Sequence, residues 1–554
     1  MKKKYILLAF IALMGLVSCD KFLDTLPDNR TDLGSAGSVD KEKVQSLLIS
    51  AYPSPDYLYF NELMSDNNEC MGDSNPYTDV IFDQMYSWTD VTEDWFGCPA
   101  WVWENCYAAI AAANQVILTI EEAGGAEQTG MQAEMAEALL CRAFSHFILV
   151  NTFCMHYTPE TAASSLGIPY MTKAETTLNP KYERGTVADV YQHIDEDLKN
   201  ALPYVSDAYY SVPQYHFTVR AANAFAARFY LFYQDWALAE QCANIVLGQE
   251  PQLRDLKKYA TITRDYDAWC NQYIDASEKA NLLIIGANSI YGRAYCKAAG
   301  YCEKYTHTRY TANNEDLFAA NIWGNTAGFS SAGLYYMQPA QYSGNNFDKV
   351  CVWRVNEHAK IADAVAQTVT PYIFFPALTV DETLLIRAEA RILQGNYEEA
   401  AEDLTRWMQN NIKTDMVLTP ESIMDFYKDH ELINADGTPV LDEDGNPVVF
   451  TYATWDHSTI KKHLNPAFYI GEENGLRECM IQCLLGFRRI EGFALGLRWW
   501  DVKRYGIEIW RRTMGADGTP ARQDDVLLKD DPRRAIQLPK LVIAAGMEPN
   551  PRNK

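Results

Sequence analysis

Ala388-Glu389-Ala390-Arg391-Ile392-Leu393-Gln394-Gly395-Asn396-Tyr397-Glu398-Glu399-Ala400 reads as a helix that stops and starts again. Helix-forming residues run up to Gln394, and Gly395-Asn396 supply the tight turn that ends the run. Tyr397 opens the next helix, and the small Ala400 follows three residues later. An earlier stretch, Ala227-Arg228-Phe229-Tyr230-Leu231-Phe232-Tyr233-Gln234-Asp235-Trp236-Ala237-Leu238-Ala239, follows the same plan, with Trp236 and Ala239 in the two positions. The segments Ala221 to Leu247 and Thr383 to Met408 therefore each predict an antiparallel helix pair. The aromatic is expected to wedge between the two helices, and the alanine lets them approach.

This plan is similar to the tetratricopeptide helix-turn-helix pattern, whose units bury their apolar faces on neighbouring pairs. Other segments predict helices that supply such neighbours. Asp40 is placed to cap a helix bearing Val44, Leu47, Leu48 and Ala51. Trp103, Tyr107, Ile110, Asn114 and Ile117 recur at helical spacing, and residues 131–153 continue the pattern. Thr186 and Asp189 form a capping-box-like pair ahead of Val190, Ile194 and Leu198, and Pro203 ends that helix. Helical periodicity fails in two places. Residues 260–347 are rich in Asn, Gly, Ser and Tyr, and residues 414–475 carry Asp436-Gly437 and Asp444-Gly445-Asn446, which read as hairpin turns. The fold expected is mainly α, a tetratricopeptide-like helical-pair scaffold with an irregular loop-rich half containing short hairpins. The body should be one unit over 37–554: helical repeats at 37–260 and 370–412, an irregular subdomain at 260–350, a hairpin-rich insert at 414–475, and a C-terminal helix and tail at 476–554.

The start of the chain addresses it. Lys2, Lys3 and Lys4 precede an uncharged run from Tyr5 to Val17, too short to span a bilayer comfortably. Leu16-Val17-Ser18-Cys19 follows, and it looks like a bacterial lipoprotein signal. Residues 1–18 are then a signal peptide, Cys19 is the lipidated residue, and 19–36 is a polar strap. The chain has a formal net charge of −25, and losing three lysines with the signal makes the body more acidic still. Such a surface repels nucleic acid and anionic headgroups and favours neutral or cationic ligands. Besides Cys19, the cysteines form no C-x-x-C and no Cys/His cluster, so most read as small buried thiols. Cys98 with Cys106 and Cys296 with Cys302 have spacings that permit pairing, whereas Cys479 and Cys483 sit on one helix in unsuitable geometry.

Several blocks then resemble the SusD/RagB family of outer-membrane nutrient-binding lipoproteins, nearly from end to end. They are Asp20-Lys21-Phe22-Leu23-Asp24 and Pro27-Asp28-Asn29-Arg30-Thr31 after the cysteine; Ala136 to Phe144 with Phe147, Leu149-Val150 and Gly167-Ile168-Pro169; and Arg184-Gly185-Thr186-Val187 through Asp197-Leu198. Arg488-Arg489, Glu491, Gly496, Arg498-Trp499-Trp500-Asp501 and Arg504-Tyr505-Gly506 follow, with Ile536 to Pro539 and Asn550-Pro551 near the end. Leu495 and Phe487 depart from it, standing where the family carries acidic residues of an internal charge network, which implies a locally altered core. The resemblance implies a helical body of tetratricopeptide-like pairs. It also implies a lipid-anchored outer-membrane protein, facing outward, that captures oligosaccharides and passes them to a SusC-like TonB-dependent transporter. Two other readings stand beside it: peptide capture of the RagB type, and a tetratricopeptide scaffold that binds only protein.

Sugars present apolar C–H faces that aromatic rings cover. The loop from Trp88 to Trp101 offers Trp88 and Trp95 among Asp90, Glu93 and Asp94. The irregular stretch offers Tyr291, Trp323, Tyr335 and Tyr336 beside Asn288, Asn325, Gln338 and Asn345. These six aromatics are the expected ligand contacts. Trp103, Tyr107, Trp236, Trp407 and Trp499 fall on helical faces and read as core, and His146, also on a helix, reads as a core or groove residue. An enzyme is not expected. Gly328-Phe329-Ser330-Ser331-Ala332-Gly333 misses the G-x-S-x-G spacing, and no phosphate loop or H-E-x-x-H is present. Carboxylate pairs carry no information among 73 acidic residues. Asp442-Glu443-Asp444-Gly445-Asn446 reads as a solvated turn, so neither a metal nor a cofactor is expected.

Overall fold

The computed structural model describes residues 34–35, 38–95, 97–174, 181–297, 304–344, 347–363, 366–433, 436–441 and 445–552. The signal, Cys19, most of the strap, Tyr301, Cys302, Asn345 and residues 442–444 lie outside these.

Helices dominate, and local chemistry explains where they begin. Helix α1 (Lys41–Leu48) is capped by Asp40, whose carboxylate accepts from the Glu42 and Lys43 amides. Two short helices follow, α2 (Leu58–Met64) and α3 (Val80–Tyr86). Helix α4 (Pro99–Glu122) starts with proline, whose missing N–H is not needed there. Helix α5 (Gln132–Phe153) is buried along most of its length. In α6 (Val187–Ala201) Thr186 and Asp189 form the expected reciprocal capping box. Helices α7 (Val219–Phe232) and α8 (Trp236–Leu247) make the first predicted pair, and α11 (Val380–Gln394) and α12 (Tyr397–Asn411) the second. Between them lie α9 (Tyr266–Tyr273) and α10 (Arg309–Glu315), and after them α13 (Pro420–Tyr427), α14 (Leu476–Glu491), α15 (Arg498–Arg504) and α16 (Lys540–Ala544). Neighbours pack in sequence: α4 on α5, α5 on α6, α7 on α8, α8 on α11, α11 on α12 and α14, and α13 on α14.

Ala239 and Ala400 are fully buried, as close helix approach requires. The two aromatics act differently from the expectation. Trp236 is half-buried with its ring edge-on to Phe468 at 5.4 Å, and the Tyr397 hydroxyl accepts from Arg477 Nε at 3.1 Å. Both point toward the 464–477 segment and dock the hairpins onto the chain leading into α14.

The loop-rich half holds more regular structure than its composition predicts. Strands β1 (Gly34–Ser35) and β2 (Ser38–Val39) form a small hairpin before α1. Strand β3 (Glu69–Cys70) joins a four-stranded sheet, while β4 (Asn281–Asn288) pairs antiparallel with a strand nearly ninety residues later. Strand β5 (Tyr305–Thr306) lies on β3, and β6 (Ala340–Gly344) with β7 (Phe347–Cys351) forms a hairpin. Strands β8 (Glu357–Asp363) and β9 (Thr368–Thr379) complete the sheet order β4-β9-β8. Strands β10 (His430–Glu431) and β11 (Val449–Phe450) carry the expected hairpins, closed by the bridges Ile433 to Pro439 and Leu441 to Pro447. Strands β12 (Ile509–Met514) and β13 (Pro520–Leu527) finish the order β13-β12-β3-β5.

Both departures from the family pattern are buried. Phe487 stacks on Trp407 at 4.6 Å and Leu495 is buried, while Trp407 Nε1 donates to Glu491 at 2.9 Å. Cys98, Cys106 and Cys296 are buried free thiols, so the Cys98–Cys106 pairing is not formed.

Candidate functional site

The six aromatics selected from the loops go to separate places. Trp88 is 3% exposed, its Nε1 donates to the Met64 carbonyl at 2.9 Å, and the Arg511 guanidinium lies 4.0 Å from its ring centroid. Tyr291 is fully buried, stacked on Tyr295 at 5.3 Å and edge-on to Tyr59 at 5.7 Å. Trp323 and Tyr335 do meet, at 6.5 Å, but inside the core, with the Tyr335 hydroxyl donating to the Leu317 carbonyl. Trp95 is half-buried and edge-on to Phe82. Tyr336 is half-buried with Lys257 and Lys413 over its ring, at 5.6 Å and 5.9 Å. Trp88, Tyr291, Trp323 and Tyr335 thus present almost no ring face to solvent in this conformation, and the six do not converge. Loop composition placed them outside; long-range packing turns them in. The amide of Asn325 is likewise spent within its own loop, on the Ala319 carbonyl and Ser331.

A concave site lies instead along α4. Its stripe of Trp103, Tyr107, Ile110, Ala111 and Asn114 floors a cavity of about 400 Å³. Pro169, Met171 and Lys173 form one wall; Lys181, Tyr182 and the C-terminal Val542 and Met547 form the other. A second hollow of about 750 Å³, sharing Lys173, continues past Ile117 and Glu121 to Glu127, Gln132, Asn200 and Tyr204. At about 1.5 Å per residue the stripe from Trp103 to Glu121 runs roughly 27 Å. The two hollows therefore make one trough, long enough for several sugar rings in a row.

Hydrogen bonds fix the wall at 169–173 to the helices. The Tyr107 hydroxyl donates to the Pro169 carbonyl at 2.8 Å, and Asn114 Nδ2 donates to the Met171 carbonyl at 2.8 Å. Asn114 Oδ1 accepts from Arg142 Nη1 at 2.9 Å, and Arg142 forks onto Asp197 at 2.8 and 2.6 Å. Tyr170 donates to the same carboxylate at 2.5 Å. The Met171 amide donates to His146 Nε2 at 3.0 Å, so His146 carries its proton on Nδ1, toward the Arg142 carbonyl at 2.8 Å. Burial pushes the His146 imidazole down to about 3, which keeps it neutral and fit to accept. On the other side, Arg184 donates to the Glu548 carbonyl and to Asn550 Oδ1, tying the tail that carries Met547 beside the trough.

Trp103 is core, as its helical spacing suggested, and Tyr107 is half-buried against that core; both border the trough, and their rings tilt together at 4.8 Å. Tyr182, Lys173, Lys181 and Met547 had no sequence signal. Among the described residues no group of three or more His, Cys, Asp or Glu side chains is placed to hold a metal ion, and no helix is long and apolar enough to cross a membrane.

Residues 21–231 match the model of the SusD-like family described as "Starch-binding associating with outer membrane". No curated protein matches the sequence. Solved structures with the same fold include a SusD superfamily protein of Bacteroides thetaiotaomicron, 17% identical, covering 92% of this chain and 99% of that one at a TM-score of 0.56. A SusD superfamily protein of Bacteroides fragilis is 16% identical over 93% and 99% of the two chains, at 0.58. A SusD-like carbohydrate binding protein of Bacteroides vulgatus is 13% identical over 91% and 96%, at 0.55. At these identities the likeness is one of fold, and residues 21–231 carry the SusD-like family pattern.

Proposed function

We propose that this protein is a lipid-anchored receptor on the outer membrane that binds oligosaccharides without cleaving them and hands them to a SusC-like TonB-dependent transporter. The observation that carries the binding half is the trough along α4, open, elongated and floored by aromatic rings, in a chain that matches a starch-binding family description. Tyr107 and Tyr182 supply partly open ring faces for the C–H surfaces of a sugar, and the rim residues Gln132, Asn200 and Glu121 supply hydroxyl partners. Cys19 and the strap supply the tether, and the body over 37–554 works as one unit. Lipid on Cys19 holds the protein at the membrane, since stable anchoring takes more than one acyl chain and needs no spanning helix.

The test is isothermal titration of the lipid-free protein against a panel of oligosaccharides and peptides. Glycan heats that weaken about five- to tenfold in Tyr107→Ala or Tyr182→Ala support the site, since an aromatic contact is worth roughly 1 kcal/mol. Heat from peptides alone moves the reading to peptide capture, and glycan binding indifferent to both variants puts the site elsewhere. Purification from membranes in mild detergent without a TonB-dependent transporter would remove the partnership.

A further inference from the structure

The charge of the trough opposes the charge of the chain. The formal net charge is −25. Yet among the described residues no Asp or Glu lines the 400 Å³ end of the trough; its charged lining there is Lys173 and Lys181, both exposed. Among the described residues neither lysine forms an ion pair. Carboxylates gather at the other end, where Glu121 and Glu127 are exposed and Asp197 is committed to Arg142 and Tyr170. An acidic body with a cationic hollow over aromatic rings is built to select, because an anionic ligand is repelled by the body at large and attracted in that hollow.

We infer that the oligosaccharide taken by this trough is acidic, carrying a carboxylate or sulfate that lies between Lys173 and Lys181 while its ring covers Tyr107 and Tyr182. This rests on the trough being the glycan site, and it adds the substrate class and an orientation. The charged sugar occupies the Trp103 end, and hydroxyls of the following residues meet Asn200, Gln132 and Glu121. The apolar floor strengthens the two lysines' pull by excluding water from one side of the pairs.

The experiment compares matched ligands. Oligogalacturonides are titrated beside their fully methyl-esterified forms, and sulfated chondroitin oligosaccharides beside desulfated ones, with maltooligosaccharides and an oligo-aspartate peptide as controls. The acidic member of at least one pair should bind about tenfold tighter than its neutral twin, as two ion pairs at a partly exposed site allow. That preference should shrink between about 0.05 M and about 0.5 M salt. It should vanish in the double variant Lys173→Glu/Lys181→Glu, a surface change that leaves the fold intact, as circular dichroism would record. Equal affinity for both members of every pair, neutral glycans binding while no acidic one does, or oligo-aspartate binding as tightly as the best glycan would overturn the inference and leave glycan capture standing in the first two cases. Silence from every glycan would instead defeat the functional reading beneath it.

Discussion

Asp56 and His146 show how one buried side chain writes its own pH dependence. Burial pushes the Asp56 carboxyl up to about 7, against the pull of the nearby Ser289 hydroxyl and Tyr59 amide. A carboxyl raised in the fold contributes stability that is complete below its unfolded value near 4 and disappears as pH climbs through about 7. Asp56→Asn, neutral at every pH, should match the parent near pH 4 and exceed it at pH 8 by up to about 4 kcal/mol. Thermal unfolding at the two pH values checks this; a variant less stable at pH 8 would mean the carboxylate has a partner it needs. His146 works the other way. Its folded value of about 3 lies below the unfolded value near 6.5, so the folded state resists protonation and stability falls as pH drops from about 6.5 toward 3. His146→Gln should flatten that acid limb. An unchanged limb would place the acid sensitivity in other groups, of which the equally depressed His156 is the first to examine.

At the scale of elements, the 169–173 wall depends on Asn114, which holds the Met171 carbonyl with its NH₂ and Arg142 with its carbonyl oxygen. Asn114→Ala leaves a buried guanidinium N–H and a backbone carbonyl unpaired, which costs about 1–3 kcal/mol. The wall should loosen, so ligand affinity should fall although no ring is touched. Amide exchange at 169–173 would report the loosening, and unchanged exchange with unchanged affinity would show that the wall stands without this strap. Elements of this local kind were readable from the chain. The Thr186–Asp189 cap, the helix over 132–153, the two helix pairs and the Asp-Gly hairpins are each specified by a few adjacent residues. Strand β4 was not readable, because Leu283 to Ile285 becomes a strand by pairing with Leu378 to Phe375, far along the chain. The trough suffered the same way. Its α4 stripe was visible as periodicity, but periodicity cannot distinguish a stripe that is covered from one left open between α4 and a tail more than four hundred residues away. The buried Trp88 and Tyr291 are the converse case, where turn-rich composition implied exposure.

The whole molecule is held by a buried charge network that joins its two ends. Arg489 on α14 donates to Asn67 Oδ1 at 2.9 Å and the Asp66 carbonyl at 2.7 Å, and it lies 3.3 Å from both Glu315 and Asp316. Arg498 forks onto Asp66 at 2.8 Å through both nitrogens, and Glu315 also receives Lys462 at 2.6 Å and Arg512 at 2.7 Å. Arg512 bonds Glu69 as well. Gly506 closes the same region: its φ is +57°, and a Cβ there would meet the Asn465 carbonyl oxygen at 2.5 Å. Many of the motif residues near the C-terminus, Arg488-Arg489, Arg498, Asp501 and Arg504, are thus structural. Arg489 and Arg498 fasten residues 66–67 to the C-terminal helices, and Arg489 also reaches α10, while Arg488, Asp501 and Arg504 join α14 and α15 to Glu389 on α11; none of them lines the trough. For Asp66, Glu315 and Asp316, burial favours the neutral form, but the surrounding arginines, Lys462 and His307 prevail and hold all three below the usual carboxylate range. Carboxyls depressed in the fold contribute stability that is present above about pH 4 and lost as pH falls below it. Arg489→Ala should therefore destabilise the protein by about 3–5 kcal/mol at pH 7, the usual cost of stripping one partner from a buried ion pair. The deficit should narrow near pH 3, where the abandoned carboxylates take up protons. Urea midpoints at both pH values decide it. A deficit of equal size at the two would mean that Arg489 acts through packing alone and that the ends of the chain are joined by shape, not by charge.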